Sequence, residues 1–201
     1  MNLPNLLSKT LLALAVISIA ASAAFAQSND PNSPQPNFPV ALQLIVGGSD
    51  AGSKGELPAS LANVTRQIRS SIPYASYRLA NTYLGRVGNN GTFEYKSVAD
   101  LLGQSQSEPA TFLEWSVRGI RVVGNDYQAQ TVRFGARVPV KTEMSDANSG
   151  SKHSVINYEP IGLSFERIGI AENVPTLLGT LTIPKTGETL FLVMTISRSD
   201  R

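Results

Sequence analysis

The chain has 201 residues, no cysteine and one histidine, and its 17 lysines and arginines against 15 acidic residues give a formal net charge of +2. The absence of cysteine excludes disulfides and thiol chemistry, and a single histidine removes most zinc, haem, iron–sulfur and Ser-His-Asp sites. So small a net charge predicts no nucleic-acid partner. The length is enough for one ordinary domain with a packed core.

The N-terminal stretch, residues 1–26, predicts an export signal. Lys9 supplies a positive charge, an apolar run follows, and Ala24-Phe25-Ala26 has the small-x-small pattern that signal peptidase cuts. The apolar run is shorter than the roughly 20 residues that a membrane-spanning helix needs. We therefore expect cleavage after Ala26 and a periplasmic or secreted protein of bacterial type, with no membrane span afterwards.

The folded part is predicted to begin after a linker. Residues 27–39 are rich in proline, asparagine and serine and poor in apolar side chains, which is typical of a disordered segment. The patterns from 40 to 201 predict a single α+β domain. A possible subdivision gives a β-α-β-β unit at 40–98 and a β-rich, mostly antiparallel region at 109–201.

In the first half of the domain, apolar side chains recur at regular spacings. Strict alternation over Val40–Val46 predicts a buried strand. The main helix is predicted at 58–72, because apolar side chains recur there at steps of three and four residues. These side chains are Leu57, Leu61, Val64, Ile68 and Ile72. Two aromatic-rich strands at 74–87 and 92–98 follow, joined by the hairpin-type turn Gly88-Asn89-Asn90-Gly91.

Only strands are predicted beyond residue 109. Besides strands at 111–123 and 127–134 and two near the C-terminus at 176–183 and 189–196, two strand-like segments stand out. They are TVRFGARVPVKTE at 131–143 and VINYEPIGLSFE at 155–166, joined by a polar bridge rich in serine and glycine. This hairpin is the main indication of function, because no catalytic signature occurs in the chain.

The hairpin carries two short motifs, a Gly-x-x-Val-Pro step and a Tyr-x-x-Ile-Gly-Leu step. Their residues are Gly135, Val138, Pro139, Tyr158, Ile161, Gly162 and Leu163. With the polar bridge between them, they resemble the secretin family, the outer-membrane channels of bacterial type II and type III secretion and type IV pilus systems. The predicted β-α-β-β unit is similar to the small periplasmic domains that precede such a channel. This chain is shorter than a secretin, so the resemblance implies a secretin-like module without its own pore.

The resemblance implies that the protein acts by contact with other proteins rather than by catalysis. A Val-Pro step belongs at a strand end or a sheet edge, because proline cannot donate to a central ladder. The glycine after Ile161 allows a bend or a bulge. We expect a non-enzymatic cell-envelope protein that contacts a protein partner or associates with itself. The candidate open edges are Val138–Lys141 and Thr189–Ile196, either of which could extend a neighbour's sheet.

A second hypothesis is a periplasmic module that binds a small molecule or a glycan. Aromatic rings are the usual stacking surfaces for such ligands, and four side chains are candidates. They are Trp115, Tyr77, Tyr83 and Tyr127. No catalytic residue, cofactor or metal site is expected, and His153, in the polar bridge, is expected to be solvated.

Charged side chains on the predicted strands give two further expectations. A carboxylate pair could support glycoside hydrolysis, although a solvated strand face explains the same acids. The acids are Glu94, Glu114, Glu143, Glu159 and Glu166. Four arginines could form a basic cluster, for which we expect cross-strand pairing with Glu114, Glu143 and Glu166. The arginines are Arg118, Arg121, Arg133 and Arg137.

Overall fold

A computed structural model describes residues 36–49, 57–99, 109–145, 152–184 and 186–198. These residues belong to one compact unit that spans Pro36–Arg201. The predicted export signal, most of the predicted linker and the polar bridge at 146–151 lie outside the described residues.

Nine strands, one short helix and one 3-10 turn make up the described fold. The turn is Ala59–Leu61 and leads directly into the helix α1, Ala62–Ser71. The strands are β1 (Asn37–Gly48), β2 (Ser76–Gly88), β3 (Thr92–Ala99), β4 (Thr111–Arg118), β5 (Arg121–Val123), β6 (Asp126–Ser145), β7 (Lys152–Ala171), β8 (Thr176–Thr182) and β9 (Thr189–Ile196).

The strands form two antiparallel sheets. The first sheet has the order β2-β1-β9-β8. In the second sheet β3, β4, β6 and β7 are successive neighbours, and β5 pairs with the start of β6. Of the predicted α+β fold, the mostly antiparallel sheet is confirmed, and the described residues contain one short helix. The stretches 40–98 and 109–201 each supply strands to both sheets, so neither packs by itself.

The main core lies between the two sheets. The even-numbered residues of β1 from Val40 to Val46 face it, as the alternation predicted, together with Trp115 and Val117 of β4 and Phe134 of β6. The odd-numbered Ile45 faces the other way and is equally buried. β1 is therefore covered on both faces, and its sequence fits this position, because one face is entirely apolar and the other is mostly apolar.

The helix α1 covers the outer face of the first sheet. Leu61, Val64 and Ile68 are buried there against Phe191 and Val193 of β9, and Leu57 and Ile72 pack at the margin. The apolar stripe in the sequence therefore predicted both the helix and the face that it buries. The molecule has three layers, α1, the first sheet and the second sheet.

The predicted β-α-β-β unit is not confirmed, although its elements follow one another in that order. The turn at Gly88–Gly91 contains Asn90 with a left-handed φ of 55°, and after it β3 pairs with β4 of the second sheet. Phe93 of β3 lies 5.0 Å from Trp115 and Tyr95 lies 5.2 Å from Tyr83, ring centre to ring centre. Through these contacts β3 packs against Trp115 within the second sheet and against Tyr83 of the first sheet.

Two further expectations are corrected. The predicted linker ends earlier than residue 39, because β1 begins at Asn37 and the Phe38 ring is buried against Tyr127 at 5.2 Å. The candidate edge Thr189–Ile196 is β9, which lies between β1 and β8 in the first sheet. A strand paired on both sides has no free backbone groups to offer a partner.

Candidate interaction surface

The hairpin of β6 and β7 is the longest element of the fold, with 20 residues in each strand. The two strands pair from Asp126–Ala171 to Ser145–Lys152. On its other side, β6 pairs with β5 and then with β4, and the last β4 pair is at Arg137. We call residues 138–145 with 152–159 the distal ribbon; at strand geometry it extends roughly 25 Å past β4.

The distal ribbon exposes apolar side chains on both faces. Side chains alternate along a strand, so Ile156 and Tyr158 share one face while Val155 and Met144 lie on the other. These four side chains are between 40% and 59% exposed. A two-stranded ribbon is marginally stable by itself, and three or more strands or a packed face are needed for independent stability. Among the described residues, the ribbon thus lacks the third strand or packed face that would make it stable by itself.

The structure brings the residues of the two motifs together at the base of the ribbon. Gly135 pairs with Gly162, and Pro139 pairs with Tyr158. Val138 is buried, and Ile161 and Leu163 pack against the core as partly buried side chains. The seven residues therefore lie on two adjacent strands, with Val138, Ile161 and Leu163 facing the core and the other four on the opposite face.

The Val-Pro step lies where β6 loses a neighbour. Pro139 follows Arg137, the last residue of β6 that pairs with β4, within the same continuous strand. Proline has no N–H, so it disrupts no ladder at a position without a second neighbour. The expectation that this step marks an edge, although not a strand end, agrees with the pairing.

The glycine at 162 has a different role from the expected bend or bulge. The β6–β7 register runs without a shift through Gly135–Gly162 and its neighbours. A Cβ at position 162 would lie 2.7 Å from the backbone carbonyl oxygen of Phe134. Close approach of the two strands therefore requires glycine here.

Replacing Gly162 by alanine is expected to destabilise the fold by about 1–3 kcal/mol, because the added methyl group overlaps a backbone atom that cannot rotate away. The matched control is Gly169→Ala in the same strand, where a Cβ meets nothing within 4 Å. The free energy of unfolding of that control should lie within about 0.5 kcal/mol of the wild-type value. Urea unfolding of the three proteins measures both values, and equal losses in the two variants would contradict the close-approach argument.

The outer face of the second sheet joins the distal ribbon to a group of exposed apolar residues. Val98 pairs with Phe112 across β3 and β4, and the Phe112 ring lies 5.4 Å from that of Tyr158. We call Val98, Phe112 and Tyr158 the root patch; each is at least 41% exposed. Ile156 of the ribbon lies on the same face as Tyr158, so exposed apolar side chains continue from the root patch onto the outer face of the ribbon.

The outer face of the second sheet also has a shallow, open depression of about 490 Å³. Its lining includes Gly135, Gly162, Glu94, Glu114 and Arg133. Two of the five candidate acids thus border one depression. Glu114 lies 3.7 Å from the Lys96 ammonium nitrogen, and both side chains are largely exposed, which is the solvated arrangement of an ordinary strand face.

The remaining acids and the arginines do not form the expected pairs. Glu143 and Glu159 lie on the distal ribbon and Glu166 lies farther along β7. Arg118, Arg133 and Arg137 share the outer face with Glu114, but in the part of the chain that the structure describes Glu114 pairs with Lys96 instead. The Arg121 guanidinium donates hydrogen bonds to the side-chain oxygen of Gln128.

The four aromatic side chains named for ligand stacking are all in the core. Trp115, Tyr83 and Tyr127 are buried between the sheets, and Tyr77 is buried beneath α1. Burial, followed by the neighbouring Tyr95, raises the pKa of Tyr83 to about 12, which is typical of a phenol removed from water. Their ring faces contact other core side chains, so these four residues form no exposed stacking surface.

Of the exposed apolar residues, only Tyr158 was indicated by a sequence motif. Phe112 and Trp115 both lie on β4, where period-two alternation puts them on opposite faces. The sequence shows that their faces differ but does not show which face is buried. Val98 and Ile156 each have an apolar neighbour, Ala99 and Val155, so alternation does not indicate which of these side chains is exposed.

Among the residues with described positions, no group of three or more histidines, acids or cysteines is arranged to hold a metal ion. No helix within that same part of the chain is long and apolar enough to cross a bilayer.

These elements define the class, a two-sheet antiparallel fold with one covering helix and a projecting β-ribbon. Comparisons with protein-family models, with curated proteins and with solved structures give no match for this chain.

Proposed function

We propose that this protein is exported to the cell envelope and acts there by contact with another protein rather than by catalysis. One observation carries the proposal: a long hairpin leaves the body of the fold with unpaired edges and exposed apolar side chains on both faces. A surface of this kind is costly in water and is stabilised when a partner covers it. We assign the contact to the distal ribbon and the root patch.

The proposal includes a relationship to the secretins, as a module that has no pore of its own. Support comes from the pairing of the two motifs on neighbouring strands, because Gly135 pairs with Gly162 and Pro139, four positions nearer the tip, pairs with Tyr158. These residues shape a surface and have no reactive groups beyond one phenol. Their role in this proposal is to position the ribbon for strand addition to a partner's sheet.

The open edge of β7 is the main contact element of the proposal. In the described structure β7 pairs with β6 alone. Ile156 and Tyr158 lie on this strand, and they would supply the side-chain anchors beside the backbone edge. Large exposed side chains of this kind dominate the free energy of many protein–protein contacts.

The double variant Ile156→Ala/Tyr158→Ala is expected to reduce partner capture at least about tenfold while the fold stays intact, because anchor residues typically contribute 2 kcal/mol or more. A photo-reactive amino acid at position 160 reports capture in the cell that produces the protein, and mass spectrometry identifies the adduct. The double variant should lose that adduct.

The matched control changes two exposed apolar residues elsewhere, Val122→Ala/Val123→Ala on β5. A protein with this control substitution should keep the adduct at full yield. If both double variants retain the adduct, or if position 160 gives no adduct at all, the proposed contact surface is wrong.

A further inference from the structure

The distal part of β6 offers a second free edge, separate from that of β7. Beyond Arg137 no described strand pairs with β6 on the β4 side. Pro139 cannot donate a hydrogen bond, so the edge that can form a full ladder begins at Val140 and continues to Ser145. Lys141, Thr142, Glu143 and Met144 are exposed along it.

The sequence of this edge is self-complementary in the antiparallel sense. Residues 140–144 read Val-Lys-Thr-Glu-Met. Antiparallel alignment with a second copy, centred on Thr142, puts Lys141 opposite Glu143 and Val140 opposite Met144. The two-fold symmetry of such a contact makes each of these pairs twice. Opposite charges, apolar pairs and paired threonines are the cross-strand neighbours that stabilise a sheet.

We propose that a second copy of this chain pairs with the first along the distal β6 edges, with a two-fold axis at Thr142. The result is a four-stranded antiparallel sheet in the order β7-β6-β6-β7. The inference rests on the proposed function, since it names the partner of one edge of the contact element. The edge of β7 stays free for a different protein.

The neighbouring registers are disfavoured by charge. Centring the contact on Lys141 places that residue opposite its own copy, and centring it on Glu143 does the same for two carboxylates. Like charges directly opposite each other destabilise a strand pair. Of the three registers centred on residues 141, 142 and 143, only the middle one pairs opposite charges.

The geometry beside β6 accommodates this pairing. β4 occupies the neighbouring position as far as Phe112–Arg137, and the second copy's β6 would take the same position beyond it. The two-stranded ribbons of the two copies combine into one four-stranded sheet, which exceeds the three strands needed for independent stability. The contact is short and belongs with small, transient interfaces rather than obligate ones, so it is best detected by trapping.

Trapping is direct because the chain has no cysteine of its own. Thr142→Cys places two thiols opposite each other at the axis, where paired Cα atoms are about 4.5–5.5 Å apart, inside the disulfide range. Under mild oxidation this variant is expected to form a covalent dimer in high yield. The matched control, Thr92→Cys, is an exposed threonine on the edge strand β3 and should stay monomeric.

A charge exchange tests the register. In the Thr142→Cys background, Lys141→Glu creates two like-charge pairs and should lower the rate of dimer trapping about tenfold. Adding Glu143→Lys restores opposite charges and should return the rate to that of Thr142→Cys alone. Equal trapping at positions 92 and 142, or no recovery in the exchanged variant, would overturn the inference.

The two proposals fail separately. If the adduct at position 160 forms while Thr142→Cys stays monomeric, the proposed function stands and the second-copy contact is wrong. If Thr142→Cys dimerises and position 160 gives no adduct, the β6 edge serves self-association and the β7 contact is wrong.

Discussion

Replacing Leu192 by alanine should lower the free energy of unfolding by about 3–4 kcal/mol, within the range for buried leucines. Leu192 lies on β9 opposite Leu44 of β1 and is fully buried between the two sheets. The neighbouring strands are held by their ladders and cannot close around the cavity. Thermal and urea unfolding followed by circular dichroism measure the loss.

The matched control for that substitution is Leu84→Ala. Leu84 lies on β2, an edge strand of the same sheet, and is 74% exposed. We expect a change within about 0.5 kcal/mol, as for most surface substitutions. Similar losses in the two leucine variants would show that β9 is not the central strand of its sheet.

Replacing Trp115 by alanine should cost about 4 kcal/mol, because the largest side chain of β4 is lost from between the sheets. Trp115 is 2% exposed and its ring lies 5.0 Å from that of Phe93. Since this is the only tryptophan of the chain, unfolding should be followed by circular dichroism or calorimetry rather than by tryptophan fluorescence.

Two comparison variants separate a core role from a ligand-stacking role. Phe112→Ala, on the exposed face of the same strand, should change stability by less than about 1 kcal/mol. Trp115→Phe should recover most of the loss, because the indole N–H has no hydrogen-bond partner among the described residues and its removal offsets part of the lost volume. A stable Trp115→Ala protein would contradict the core assignment.

Elements with a regular apolar period were predictable from sequence alone. The spacing of apolar residues predicted both the position of α1 and the face that Val64 and Ile68 bury together with Leu61 of the preceding turn. Only one side of a short surface helix is covered, so one apolar stripe is enough to identify that side. The alternation in β1 likewise gave its core-facing residues. In both cases the spacing of apolar residues in the sequence matches the spacing of buried residues in the structure.

Pairing partners were harder to predict, because strand neighbours depend on the whole chain. The apolar run of β9 suits a central strand as well as an edge, and its place between β1 and β8 follows from tertiary packing. The hairpin of β6 and β7 was predicted, but its length beyond β4 was not. That projection arises because β4 begins only at Thr111 and pairs with β6 no farther than Arg137, which no property of the β6 sequence determines.

The place of β1 beside β9 has a consequence for how the molecule is made. The first and last strands of the described fold are adjacent at the centre of one sheet. A nascent chain thus has no complete first sheet until residues 189–196 have been synthesised, and until then β1 lacks the neighbour that protects its second edge. Such long sequence separation between paired strands slows folding.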